Sequence, residues 1–267
     1  MVGAGREAEV YAVADDYVVR LYRSSDTREA ADLRMALSRE VEQAATFGCA
    51  TPVVVGSGEW NGRPFQIEQR LPGQSLLEEL HDVDGERRER LIIDYLHTAT
   101  TIGSVAIERP YFGELAHPEP VRAPSWQRYL LERATRSLDS SLMANIDIET
   151  ISNRLGDGDG HLGLVHLDYC PANVLTDGLQ ITAVIDFGYA TILGDTRMNA
   201  VAAVAHLLAP EISPSVRPED RHTVNGWLHD NALTEYAEHA TQWLAAYWTF
   251  AHDDASLFEW CRSVLDG

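Results

Sequence analysis

The sequence predicts a mixed α/β (α+β) fold, β-rich toward its N-terminal end and mostly helical toward its C-terminal end. Three observations predict it. Short β-branched runs punctuated by glycine, proline and asparagine recur before Leu71, on either side of one helical stretch. In the second half, Asp177-Gly178 is a hairpin-turn dipeptide between two apolar runs. Over 234–251 the apolar residues Tyr236, Ala240, Trp243, Leu244, Tyr247, Trp248 and Ala251 recur at helical spacing, most of them read as core. With 267 residues and 45% hydrophobic composition, the chain is long enough for a packed core.

The elements follow in order. Gly3-Ala4-Gly5-Arg6-Glu7-Ala8-Glu9-Val10-Tyr11 reads as a glycine-containing loop running into a strand. Tyr17–Tyr22 is the next strand, alternating and β-branched. A helix is expected over 28–47, with the stripe Leu33, Leu37, Val41 and Ala44 and with Gly48 as its stop. Glu40 then lies roughly 20° from Leu33 on the helical wheel, at the edge of the stripe, and Glu42 roughly 180° away in solvent. Two strands over 52–56 and 64–69 are joined by an Asn61-Gly62 turn. Pro72-Gly73 ends the second, and Ser75 caps a following helix.

The most informative stretch is Val165-His166-Leu167-Asp168-Tyr169-Cys170-Pro171-Ala172-Asn173-Val174-Leu175, followed by Val184-Ile185-Asp186-Phe187-Gly188. Folding at Asp177-Gly178 brings Asn173 and Asp186 to one end of two paired strands, with Asp168 one loop away. A carboxylate beside two hard oxygen ligands suits Mg²⁺-assisted phosphoryl transfer. That reaction asks the protein for positioning and charge stabilisation rather than covalent chemistry.

These residues resemble the catalytic and metal-binding loops of the aminoglycoside phosphotransferase-like small-molecule kinases, and more distantly those of protein kinases. The resemblance implies a two-lobed protein-kinase-like fold. Its small β-rich N-lobe would span 1–71 and its larger, mostly helical C-lobe 72–267. It implies Asp168 as the base or orienting group, Asn173 and Asp186 as Mg²⁺ ligands, and ATP or GTP as phosphate donor. Gly3 and Gly5 fall in the phosphate-covering loop, with Ala8 in place of its third glycine. Arg20 stands where the family has a phosphate-binding lysine, and Glu40 is the candidate to pair with it. Gln69 to Leu71 would present backbone groups to the purine.

The sequence departs from the family pattern at several points. All 21 basic residues are arginine, so Arg20 belongs to a chain without lysine. It is either a working phosphate ligand or a sign of weakened catalysis. Leu167 and Ala172 replace glycines, and Cys170 stands where histidine is usual. In Gly194-Asp195-Thr196-Arg197-Met198-Asn199, Asn199 replaces an aspartate that braces the catalytic loop, so a looser site is expected.

The net charge of −20 argues against a nucleic-acid partner. No stretch approaches the roughly 18 apolar residues of a membrane helix. Arg6, Glu7 and Glu9 interrupt any basic-then-apolar leader. Three scattered cysteines make no disulfide framework, and the histidines no metal pattern. A cytoplasmic location follows as the expectation. From Glu219 to Gly267 there are nine acidic residues against two arginines. In the resembled family that region lines the acceptor pocket, which implies a small-molecule, cationic acceptor such as an aminoglycoside or basic peptide antibiotic, in resistance or self-protection. An ordinary solvated acidic face is the alternative. A kinase of a sugar, amino alcohol or amino acid remains open. So does a nucleotide-binding pseudokinase, suggested by Arg20, Ala8 and Asn199. A protein kinase is not expected, since Ala209-Pro210-Glu211 follows an apolar helical run rather than the Asp186-Phe187-Gly188 loop.

Overall fold

The computed structural model describes residues 3–4, 8–23, 27–141, 143, 146–158, 160–213 and 215–266. Gly3–Ala4 (β1) pairs with Ala8–Val13 (β2), and β2 with Tyr17–Tyr22 (β3). The Thr27 hydroxyl accepts from the Ala30 N–H and starts the helix Arg28–Ala44 (α1). That helix ends three residues before the expected 47, and Gly48 turns the exiting chain at φ +81°. Val54–Trp60 (β4) and Arg63–Gln69 (β5) follow. Their turn places Asn61 and Gly62 at φ +50° and +75°, the two left-handed positions that a tight hairpin needs. The five strands form an antiparallel sheet in the order β1-β2-β3-β5-β4.

The chain then passes through Gln74–Ser75 (β6) into Leu76–Asp82 (α2), where Ser75 and Glu78 form a reciprocal capping box. Gly85–Thr101 (α3), Phe112–Glu114 (β7), Arg122–Ala123 (β8), Trp126–Asp139 (α4) and Ile148–Arg154 (α5) come next. Leu162–His166 (β9), Val174–Thr176 (β10), Ile181–Val184 (β11) and Thr191–Asp195 (β12) carry the motif stretch. Arg197–Leu208 (α6), Pro218–Asp230 (α7), Thr234–Trp248 (α8) and Ala255–Leu265 (α9) complete the helical part. Two small sheets, β11-β10-β6 and β8-β7-β12-β9, link these helices to the motif strands. The architecture is the mixed α/β one expected, with a β-sheet N-terminal region and a helical C-terminal part.

The main core lies in the helical part. Helix α6 is buried nearly all round, which suits its apolar sequence. Trp243 packs against Trp126 and Tyr129, and its ring N–H donates to the Leu130 carbonyl at 2.9 Å. This tryptophan is therefore core, as its helical spacing implies. A charged pair is also buried there. Arg88 on α3 donates to both oxygens of Asp220 on α7, at 2.7 and 2.6 Å, with side chains 2% and 1% exposed. Its guanidinium also reaches the Leu80 and Ser215 carbonyls. Removing one partner strands the other charge away from water. Asp220→Asn is expected to cost about 3–5 kcal/mol of stability, read as a lower denaturant midpoint at unchanged slope.

Candidate active site

The motif folds as a short hairpin. Strands β10 and β11 pair in register with Val174 opposite Val184, and the Ile185 N–H donates to the Asn173 carbonyl at 2.9 Å. Asn173 and Ile185 thus sit side by side, and Asp186 follows at once. Asp177 and Gly178 begin a four-residue connection rather than forming the centre of a two-residue turn. The Asp177 carboxylate accepts from the N–H groups of Leu179 and Gln180, and Gly178 takes φ +85°.

Asp168 lies in the loop between β9 and the hairpin, with its side chain half exposed. The Asn173 amide donates to the Asp168 carbonyl at 2.9 Å and to its Oδ2 at 3.0 Å. The carboxylate is held while the Asn173 amide oxygen stays available. Asp186 has φ +68°, a left-handed backbone that an aspartate tolerates better than most side chains. Its Oδ1 accepts from Arg20 Nη1 at 2.9 Å. Asp168, Asn173, Asp186 and Arg20 all line one cleft of about 1290 Å³.

Asn199 and its neighbours brace this loop from behind. Its Oδ1 accepts from the His166 N–H at 2.8 Å, and its Nδ2 donates to the Leu164 carbonyl at 3.0 Å. An amide supplies both a donor and an acceptor, so the brace is kept without the charge. Tyr95 and Tyr169 stack at 4.7 Å and exchange hydroxyl-to-carbonyl bonds of 2.7 and 3.0 Å. Asp195 is fully buried and paired with Arg197. Cys170 lines the cleft, but burial pushes its thiol pKa far up, which leaves it a poor nucleophile.

The expected pairing of Glu40 with Arg20 is corrected. Glu40 pairs with Arg109 at 2.5 Å, and Arg20 Nε lies 3.4 Å from Glu68 Oε1. Two observations explain this. The buried face of α1 carries Ala30, Ala31, Arg34, Met35, Leu37 and Val41, so the stripe is centred away from Leu33. Arg34 is buried in it, its guanidinium over the rings of Tyr22 and Tyr189 at 4.1 and 4.2 Å. Glu40 sits roughly 120° round from Arg34 on the helical wheel. The acid reaching Arg20 comes instead from β5. Gln66 and Glu68 are buried, whereas Phe65 and Ile67 are half-buried. Tyr22 donates to Gln66 Oε1 at 2.8 Å, and the Gln66 amide donates to Glu68.

The other expected site residues fall as follows. Gly3 is in β1, and Gly5 lies outside the described residues. Ala8, Val10 and Val18 from the N-terminal sheet and Leu175 and Ile185 from the hairpin contribute apolar lining to the cleft. Gln69 and Leu71 line it too. The N–H groups of Gln69 and Arg70 are committed to the carbonyls of Val53 and Asp16, at 3.0 and 2.8 Å. Of the nine C-terminal acids, Asp254 lines the cleft, where it also caps α9, and Asp220 is locked to Arg88. Glu211, Trp248, Phe250, Arg133 and Arg136 line the same cleft. Arg133 is neutralised by Glu114 at 2.6 Å, and Arg136 by Glu119 at 3.0 Å. Glu68, Glu211 and His206 are among the cleft-lining residues that sequence reasoning did not single out as site candidates.

Among the described residues no group of three or more His, Cys, Asp or Glu is arranged to hold a metal ion, and no helix is long and apolar enough to cross a membrane. Mg²⁺ needs no such cage, because substrate phosphates and water complete its octahedron around one or two protein oxygens. The Asp186 carboxylate and the Asn173 amide oxygen fit that need.

Residues 2–195 match the model of the phosphotransferase enzyme family. No curated protein sequence matches the chain. Among solved structures, the ADP-bound aminoglycoside phosphotransferase APH(2'')-Ib is 18% identical, with TM-score 0.62, over 98% of this chain and 90% of that one. APH(2")-IIa in complex with gentamicin is 18% identical, with TM-score 0.63, over 98% and 89%. The ethanolamine kinase of Plasmodium vivax is 12% identical, with TM-score 0.52, over 97% and 76%.

Proposed function

The chain belongs to the phosphotransferase enzyme family, and from that premise we propose that it moves the γ-phosphate of ATP or GTP to a hydroxyl of a small molecule. The observation that carries the reading is the Asp168 carboxylate, held by Asn173 in the same cleft as the Arg20–Asp186 pair. In this reading the lobes divide at 71/72. The purine enters the slot between Ala8, Val10 and Val18 above and Leu175 and Ile185 below. With the Gln69 and Arg70 N–H groups already used, it meets the Leu71 N–H and nearby carbonyls. Asn173 and Asp186 hold Mg²⁺, which when bound neutralises charge on the phosphates. Arg20 grips phosphate oxygens. Asp168 orients the acceptor hydroxyl and accepts its proton as the oxygen attacks.

Glu68 takes over the brace expected of Glu40. Its removal frees Arg20 from one of its carboxylate partners among the described residues, which include Glu68 and Asp186. Glu68→Gln is expected to raise the nucleotide KM about tenfold, the worth of one charge-assisted bond, while Glu40→Gln stays within about twofold. Equal effects of the two variants on initial-rate kinetics would contradict this assignment.

For the acceptor, Glu211, Asp254, Trp248 and Phe250 favour a cationic hydroxyl compound, through charge and the ring faces. An aminoglycoside or a basic peptide antibiotic is the leading case. A second reading, an amino alcohol or another small amine-bearing metabolite, is favoured by one observation: a single acid of the C-terminal nine lines the cleft. Raising salt separates the two, because a polycation loses affinity with ionic strength much more steeply than a singly charged amine.

A further inference from the structure

Helix α6 presents one polar side chain to the cleft that the proposed reaction does not use. His206 is 6% exposed and lines the cleft beside Asp168. Its Nε2 lies 3.8 Å from Asp168 Oδ1. The other carboxylate oxygen, Oδ2, already accepts from Asn173 at 3.0 Å. The ring of Trp248 packs on the imidazole with centroids 4.5 Å apart. Among the described residues neither ring nitrogen of His206 has a hydrogen-bond partner. Burial lowers its pKa to about 4, offset in part by the Leu167 backbone, which lies against the ring outside hydrogen-bonding geometry. At neutral pH the imidazole is therefore uncharged, with one N–H to give. A buried donor without a partner is destabilising, and an ordinary core histidine would have found one.

We infer that His206 is a positioning residue for Asp168: in the occupied site its Nε2–H donates to Asp168 Oδ1, across the carboxylate from the Asn173 amide on Oδ2. The inference rests on the reading of Asp168 as the group that meets the acceptor hydroxyl. Closing 3.8 Å to hydrogen-bond distance takes a shift of about 1 Å. With Oδ1 bound to His206 and Oδ2 to Asn173, the carboxylate no longer turns about its own bond. Its remaining lone pairs face the acceptor. Trp248 keeps the imidazole from swinging away and extends the same wall toward the acceptor end. His206 acts through Asp168, so its loss affects the chemical step and leaves nucleotide binding alone.

Three variants test this: His206→Gln, whose amide nitrogen can reach the Nε2 position; His206→Asn, whose amide nitrogen falls near Nδ1; and His206→Leu, which has no donor. Initial rates of nucleoside diphosphate release, with the preferred acceptor saturating, give kcat and the nucleotide KM for each, alongside Asp168→Asn. The expected result is a kcat lowered by about ten- to hundredfold in the Asn and Leu variants, as for a lost bond to a charged group. His206→Gln should stay within about threefold of the parent, and the nucleotide KM should change by less than about twofold throughout. Should the Leu variant not fold, the Gln and Asn variants, both polar, carry the comparison. A Gln variant as slow as Asn, or a folded Leu variant with parental kcat, overturns the inference while Asp168→Asn remains inactive. Full turnover in Asp168→Asn overturns it together with the proposed function.

Discussion

Replacing Asp168 by Asn is expected to lower kcat by about 10²–10⁴, the usual contribution of a positioned general base, while nucleotide affinity stays near that of the parent. The substitution is nearly isosteric. It keeps a group able to meet the Asn173 amide, which now bonds Oδ2 at 3.0 Å and the Asp168 carbonyl at 2.9 Å. What it removes is the charge that accepts the hydroxyl proton. Because Asp168 is half exposed, its loss leaves no large cavity, and the fold should be unaffected. Binding of a nucleotide by calorimetry and turnover by coupled diphosphate release separate the two effects. A variant with parental kcat would remove Asp168 from the chemistry.

Asp186→Ala should abolish the part of nucleotide affinity that depends on a divalent cation. The site offers one carboxylate and one amide oxygen for such an ion, and the substitution takes the only negative charge of the two. It also takes a partner from Arg20, while the ion pair of Arg20 with Glu68 remains. Titrating nucleotide into the variant with and without Mg²⁺ should give the same dissociation constant, whereas the parent should bind at least about tenfold tighter with the ion, the scale of a charge-assisted contact to phosphate. A preserved Mg²⁺ effect in Asp186→Ala would contradict the metal role. Loss of all binding would instead point to Asp186 acting mainly as the anchor of Arg20.

The motif strands were legible in the sequence because their spacing is fixed by short loops. Asp168, Asn173 and Asp186 are tied to one hairpin whatever the rest of the chain does. The turn at Asn61-Gly62 and the cap at Ser75 were legible for the same reason, since each is decided by local backbone chemistry. The Arg20 brace was not. Alternation in β5 does not say which of its two faces meets Arg20. The sheet buries Gln66 and Glu68, whose partners Tyr22 and Arg20 lie on the neighbouring strand β3. Helix α1 misled: its buried face includes Arg34, a charge that the aromatic faces of Tyr22 and Tyr189 accommodate. Periodicity treats arginine as polar and so misplaces the stripe, and with it Glu40.

Charge counting had the same weakness at the acceptor end. The C-terminal acidity is real as composition, yet Asp220 serves a buried ion pair and one acid reaches the cleft. Glu211, which does line it, belongs to an Ala-Pro-Glu tripeptide that looked incidental. His206 carries no sequence signal beyond a polar residue on an apolar helix. Its meaning comes from the 3.8 Å that separate it from Asp168.

The most direct test of phosphotransfer is to incubate the protein with Mg²⁺ and ATP or GTP, across a panel of aminoglycosides, basic peptides, amino alcohols and sugars, and to follow the products by phosphorus NMR. The account predicts a new phosphate monoester on at least one amine-bearing acceptor, formed in step with nucleoside diphosphate and absent with Asp168→Asn. Bound nucleotide that is never consumed across the panel, or ester formation that persists unchanged in Asp168→Asn, would contradict it.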